Sequence, residues 1–231
     1  MRTDALTVVE MDSVSQCIFL LSPAYAGGER AKMILSERAQ FELARRLRTE
    51  GATIAEVFTF LSGLYFRGKI AYANAFARAS RGICGALVIT PTRGLIDAQA
   101  RITLDDLREF AQVDIHENDP RYREPLERDA RKLARKLSRD ASVVLLGSIA
   151  TGKYVDALLA SFQERLRFPS DFVGRGDMSR GGLLLRCAAD KTELEYISVA
   201  GAIVNGKRPP KLEPRRYPTG TAYALPKTTR E

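Results

Sequence analysis

Histidine is nearly absent: His116 is the only one in 231 residues. A metal site built from several imidazoles is therefore excluded. Cysteine is scarce as well. Cys17, Cys84 and Cys187 lie far apart, with no Cys-x-x-Cys pair among them. An odd count without pairing spacing argues against a disulfide framework and offers no zinc signature. Cys17 and Cys84 sit in or beside apolar runs, so the expectation is three reduced thiols, at least two of them in the core. No apolar run approaches the ~20 residues of a membrane helix. Residues Met1 to Gln16 lack the charged-then-apolar order of a secretory signal,. A cytoplasmic protein without a membrane partner is expected. Acidic charge is in deficit, with 28 Asp and Glu against 36 Lys and Arg, a formal net charge of +8. Such a surplus draws in polyanions, nucleic acid above all, although a merely soluble basic protein shows the same balance.

Hydrophobic residues make up 45% of the chain, enough for one sizeable core,. Residues 1–204 read as a single α/β domain, and 205–231 as a basic, Pro-rich C-terminal tail. Cys17 to Leu21, Ala86 to Thr90 and Ser142 to Leu146 read as buried strands. Their apolarity is continuous rather than alternating, as in a mainly parallel sheet covered on both faces. Glu193 to Ala200 alternates at first, which suits an edge strand. Ser36 is a candidate cap for a helix over Glu37 to Thr49. Thr53 and Glu56 form a capping box for a second helix. Phe66 to Ala79 reads as a third helix. Thr103 caps another, Pro120 or Pro125 opens a long charged one to about Arg139, and Thr151 to Arg165 forms the last. The order implies a layered domain, its central sheet flanked by helices.

In such sheets ligands bind beyond the carboxyl ends of the strands. Three loops meet that rule. The first, from Ser22 and Pro23 through Tyr25 and Gly28 to Arg30 and Lys32, offers small residues, two cations for a phosphate and an aromatic ring for a base. It lacks GxxxxGK[ST] and is not a P-loop; it also reads as an ordinary glycine turn. The second runs Thr90 to Leu95 and carries Arg93. The third, Gly147 to Tyr154, brings Ser148 and Lys153 to a strand-to-helix junction, where free backbone N–H groups attract anions. Either can equally be a plain turn or cap.

The segment Phe168 to Gly182 is the most unusual. Four glycines surround Arg175, Asp177, Ser179 and Arg180 within nine residues, a composition that predicts neither helix nor strand,. An ionised Asp177 beside phosphate-binding arginines suits chemistry in which positive charge develops on a sugar. The same residues can form an Arg–Asp pair that merely fixes a loop. His116, beside Asp114 and Glu117, is a candidate general acid or base and equally a surface residue. The arginine-rich stretch Arg128 to Arg139 either tracks a phosphate backbone or is a solvated helix face.

The strand ending Leu20-Leu21-Ser22-Pro23 resembles the opening segment of the YaaA-like proteins. Leu87-Val88-Ile89-Thr90 followed by Arg93-Gly94-Leu95 is similar to their second stretch, and Val143 to Tyr154 to a later strand, loop and helix start. The resemblance spans about Gln16 to Gly201 and rests on order and short motifs. It implies a uracil-DNA-glycosylase-like fold, nucleic-acid binding and base excision, as in bacterial anti-phage glycosylases that remove modified pyrimidines such as glucosylated hydroxymethylcytosine. The Gly-Gln-Asp-Pro-Tyr-His segment of the uracil-DNA glycosylases is missing after the first strand, so neither their uracil specificity nor the position of their aspartate carries over.

The expectation is a DNA glycosylase that needs no cofactor or metal. It flips a modified nucleotide of single- or double-stranded DNA into a pocket formed by the three loops and the Gly-rich segment. Asp177 acts on the sugar or on water, and Tyr25 stacks on the base. Arg30, Lys32, Arg175 and Arg180 hold phosphates. A non-catalytic DNA-binding protein of stress protection and a nucleoside deoxyribosyltransferase-like enzyme remain open as alternatives.

Overall fold

The computed structural model describes residues 15–202 together with Gly206, Pro209, Pro210, Leu212 and Glu213. The expected tail, residues 205–231, thus lies almost wholly outside the described residues. The first strand, β1 (Cys17–Leu21), is buried at every position, as its unbroken apolar sequence requires. It pairs in parallel with β3 (Ala86–Thr90) on one side and with β6 (Ser142–Leu146) on the other. β7 (Leu166–Pro169) runs parallel to β6. The outer strands β4 (Gly94–Asp97) and β8 (Tyr196–Ser198) are antiparallel to β3 and β7. The order is β4-β3-β1-β6-β7-β8, so the sheet is mixed rather than mainly parallel. β4 is hidden in the sequence because it is the short return arm of a hairpin. Gly94 makes that turn at φ +67°, where Thr90 Oγ1 donates to its carbonyl at 3.0 Å. The half-buried β8 is the edge strand that the alternation of Glu193 to Ala200 suggests.

The chain leaves β1 towards β3 but leaves β6 towards β7. Its direction along the sheet therefore reverses between β1 and β6, and a crevice opens at their carboxyl ends,. Before β3 come α1 (Glu29–Leu35), α2 (Glu42–Thr49), a short strand β2 (Ala52–Thr53), α3 (Ile54–Ser62) and α4 (Leu64–Phe76). β5 (Arg101–Ile102) pairs antiparallel with β2 and leads to α5 (Leu104–Ala111). α6 (Pro120–Lys136) precedes β6, α7 (Gly152–Phe162) precedes β7, and α8 (Asp177–Asp190) precedes β8. α4 lies against β1 and β3 with α8 along it, while α6 and α7 pack on each other. Thr53 and Thr103 cap α3 and α5 with reciprocal boxes. Tyr122, Leu126, Ala130 and Leu133 form the buried stripe of α6. No helix among the described residues is long and apolar enough to cross a membrane.

Three expectations are corrected. Ser36 ends α1 and does not start α2, whose N-cap is Phe41. Arg30 and Lys32 lie on helix α1, not in a loop. The Gly-rich segment is helical from Asp177 onward. Its Gly181 is a packing device. A Cβ there would stand 2.7 Å from Tyr65 Cα, and one at Gly68 would stand 2.6 Å from the Gly181 carbonyl oxygen. Glycine at both positions lets the α4 and α8 backbones touch, and this contact outweighs the low helix propensity of the residue.

Candidate active site

A cavity of about 700 Å³ opens at the carboxyl rim of the sheet, over the crevice between β1 and β6. The loop after β1 supplies Ser22 to Gly28, α1 supplies Arg30, and the turn after β3 supplies Pro91. Ser148, Lys153 and Tyr154 come from the β6–α7 junction, Tyr65 from α4, Asp114 from the α5–α6 loop and Asp177 from the first turn of α8. Segments far apart in sequence meet here because each follows a strand end or starts a helix at the same rim.

Asp177 stands at the mouth with its side chain 72% exposed, and Arg180 Nη1 lies 3.9 Å from its carboxylate. Arg180 is itself mostly covered. It stacks over the Phe172 ring and donates through Nε and Nη2 to the Phe172 carbonyl at 3.3 and 3.0 Å. Arg175 does not pair with Asp177. Its guanidinium donates to the carbonyls of Asp171 and Pro210 and to Ser179 Oγ, so Arg175 and Ser179 brace the loop before α8. Tyr25 also lines the cavity, 73% exposed, and its ring folds over Gly27; a Cβ at Gly27 would meet the Tyr25 hydroxyl at 2.7 Å. Arg30 reaches across to the Phe60 carbonyl at 3.1 Å. Lys153 lies over the Tyr154 ring. Ser148 Oγ accepts from the Ala150 N–H at 3.2 Å.

Four expected residues stand elsewhere or have other work. His116 is exposed and does not line the cavity, although its neighbours Asp114 and Ile115 do; its Nδ1 accepts from the Asn118 N–H at 3.2 Å. Lys32 is not among the lining residues and pairs with Glu29, which is, at 2.6 Å. Arg93 is taken up by Asp106 and Glu109 of α5, at 2.6 and 2.5 Å, so the turn after β3 presents Pro91 in its place. Pro23 lines the cavity only as part of its wall.

Sequence reasoning missed what lies beneath. Ser22 is buried at the end of β1, where its Oγ donates to the Leu146 carbonyl at 3.3 Å and ties β1 to β6. Lys69, 1% exposed, sends its Nζ to the Ser22 carbonyl and hydroxyl oxygens, both at 2.7 Å. Among the described residues no carboxylate lies within ion-pair distance of it. Burial pushes its pKa down to about 7, with Arg180 acting in the same direction and Asp177 against it. The Tyr65 ring lies 4.1 Å from the Lys69 nitrogen. Tyr65 Oη is buried without a well-formed hydrogen bond, and burial raises its pKa to about 12. Tyr154, also buried on the cavity wall, is raised by burial too. One signal was available: Lys69 stands three and four residues from Phe66, Tyr65, Tyr72 and Ala73, on the apolar face of its helix,.

Among the described residues no group of three or more His, Cys, Asp or Glu could hold a metal ion. Comparison of the chain with protein-family models, with curated proteins and with solved structures found no match.

Proposed function

We propose that the protein is an N-glycosidic hydrolase of the DNA glycosylase class, acting on a modified base. The observation that carries this reading is the placement of Asp177. It is a carboxylate exposed at the mouth of a large rim cavity, with Arg180 beside it at 3.9 Å and an exposed Tyr25 in the same lining. A nucleotide entering this cavity base-first would bring its sugar to the level of Asp177 and could stack on Tyr25. Breaking the C1′–N bond leaves the electron pair on the base and positive charge on the sugar, which the carboxylate stabilises. Water then adds at C1′ and gives up a proton to Asp177 or solvent, while the departing base takes one up from solvent, leaving an abasic site and a neutral free base. That chemistry suits host defence or repair, and the likeness to uracil-DNA-glycosylase-like proteins belongs to this proposal. The charge of +8 suits a nucleic-acid partner,.

The test incubates the protein and Asp177→Asn with unmodified, hydroxymethylated and glucosylated DNA, then assays alkali-labile sites and free base. Release by the parent protein and its loss in the variant, with DNA binding kept, supports the reading. No release from any DNA refutes it.

One observation favours a second reading, an enzyme of free nucleosides or nucleotides. Arg123, Arg128, Arg131 and Lys132 of α6 are all engaged by Glu127 or Asp129, which blunts the expected phosphate-tracking face. Activity on free nucleosides that is insensitive to salt would mark this case.

A further inference from the structure

The inner end of the cavity holds a hydroxyl with a buried amine behind it. Ser22 follows β1 at the point where the sheet reverses direction. It is almost wholly buried, yet it lines the cavity. Lys69 Nζ donates to Ser22 Oγ at 2.7 Å, within the reach that proton transfer needs,. A second donation, to the Ser22 carbonyl at 2.7 Å, and the Tyr65 ring 4.1 Å away hold the amine in place. The flank of the hydroxyl is kept clear, since a Cβ at Gly147 would stand 3.2 Å from Ser22 Oγ and 3.0 Å from Ser22 Cβ. The bond from Ser22 Oγ to the Leu146 carbonyl is long, 3.3 Å, and rotation of the hydroxyl gives it up at little cost,. A lysine buried without a carboxylate loses its hydration for no ionic return, so it is a costly way merely to tie a helix to a strand. Such a group suits a site that loads and unloads a proton.

We propose that Ser22 and Lys69 form a relay that delivers a proton to the base as it leaves. The inference rests on the glycosidic reading and adds a second group to its chemistry. In the base-first pose the sugar stands by Asp177 at the mouth, and the inner edge of the base faces Ser22. As the C1′–N bond breaks, its electron pair stays on the base. Ser22 passes its hydroxyl proton to a ring nitrogen or carbonyl oxygen of the base, and the Lys69 ammonium passes one of its own to Ser22 Oγ. Lys69 is left as the neutral amine and is reloaded from solvent once the free base departs, so solvent remains the ultimate source. The water that adds at C1′ gives up its proton to Asp177 or solvent, and no net proton is consumed. The carboxylate thus serves the cationic sugar and the relay serves the anionic base.

The amine is poised for this at neutral pH, because burial brings its pKa down to about 7,. The groups acting on it are Tyr65 on its own helix and Asp177 and Arg180 on α8. β1 and β3 carry no charged residue, and Glu56, the one acid of α3, is held by Arg46 and by the Thr53 cap.

The experiment measures single-turnover base release from hydroxymethylated and glucosylated DNA between pH 6 and 9, with the parent protein, Ser22→Ala and Lys69→Met. The parent should be fastest near pH 6 and slow by about tenfold per pH unit above 7, as the ammonium is lost. Ser22→Ala should be about 100-fold slower at pH 6, the lower end of what a general acid supplies, with a rate that stays flat to pH 9. The gap to the parent therefore closes as pH rises. Lys69→Met should give the same flat profile. A tie between α4 and β1 with no part in the chemistry would lower the rate by one factor at every pH. Ser22→Ala removes only a hydroxyl and decides the matter even if Lys69→Met fails to fold. Base release with parallel profiles in the parent and Ser22→Ala, or a fall above pH 7 that survives in Ser22→Ala, overturns the relay and retains the glycosidic reading. No base release from any DNA overturns both.

Discussion

The ammonium nitrogen of Lys69 lies 2.7 Å from both the carbonyl and the hydroxyl oxygen of Ser22, and so bolts the middle of α4 to the end of the central strand directly below the cavity. The arrangement has a measurable pH signature. Burial lowers the Lys69 pKa from 10.5 to about 7 in the folded chain. Between those values the unfolded state holds a proton that the folded state lacks, so stability rises as pH is raised from 7. Below 7 both states are protonated and this contribution is flat and at its least favourable. Thermal unfolding from pH 7 to 8.5 should show a rising melting temperature, and the rise should be absent in Lys69→Met. The window stops at 8.5 because Cys17 and Cys84, with pKa values raised to about 11, impose the opposite slope above the ordinary thiol range. Parallel curves for the two proteins would count against a titrating Lys69.

Asp177 is a separable case of function without much stability. Its side chain is 72% exposed, and among the described residues its one ion-pair partner, Arg180, is 3.9 Å away. Asp177→Asn should lower base release by about 100-fold or more, as loss of a charge-stabilising group does. It should change folding stability by no more than about 1 kcal/mol, the worth of an acid in the first helical turn. A large drop in melting temperature would instead make Asp177 a structural cap.

Tyr25 contributes to binding rather than folding. At 73% exposure its removal leaves almost nothing uncovered. Tyr25→Ala should leave the folding stability within about 0.5 kcal/mol of the parent. Binding of a single-stranded oligonucleotide should weaken by roughly tenfold, a stacking contribution of about 1–3 kcal/mol. Unchanged affinity would show that the ring closes the cavity without touching a base.

Two adjacent glycines should respond in opposite directions. At Gly181 a methyl group would meet the α4 backbone at 2.7–2.9 Å, so Gly181→Ala should cost about 1–3 kcal/mol or more,. It should also weaken ligand binding, because Tyr65 and Asp177 sit on the two helices forced apart. At Gly182 the nearest atom is Leu212 Cδ1 at 3.6 Å, an ordinary contact. Gly182→Ala should therefore stabilise α8 by up to about 1 kcal/mol through helix propensity. Chemical denaturation of both variants checks the pair; similar effects would mean that α4 and α8 do not cross through glycine.

The chain by itself determined the three central strands, because Cys17–Leu21, Ala86–Thr90 and Ser142–Leu146 are apolar without interruption and can only be buried. It determined the caps of α3 and α5, because Thr53 with Glu56 and Thr103 with Asp106 close their bonds locally. It also placed Ser22, Tyr25, Ser148 and Lys153 at strand ends, and hence at the cavity. Only the tertiary structure decided which charges were free to act there. Arg93 was claimed by α5, Arg175 by its own loop and Lys32 by Glu29, since an ion pair forms with whatever acid the fold brings within reach. It turned the Gly-rich segment into a helix, because the Gly68–Gly181 contact exists only once α4 and α8 are side by side. It set Lys69 under Ser22, because the burial that alters a lysine comes from residues 47 positions away in the chain and leaves no local mark.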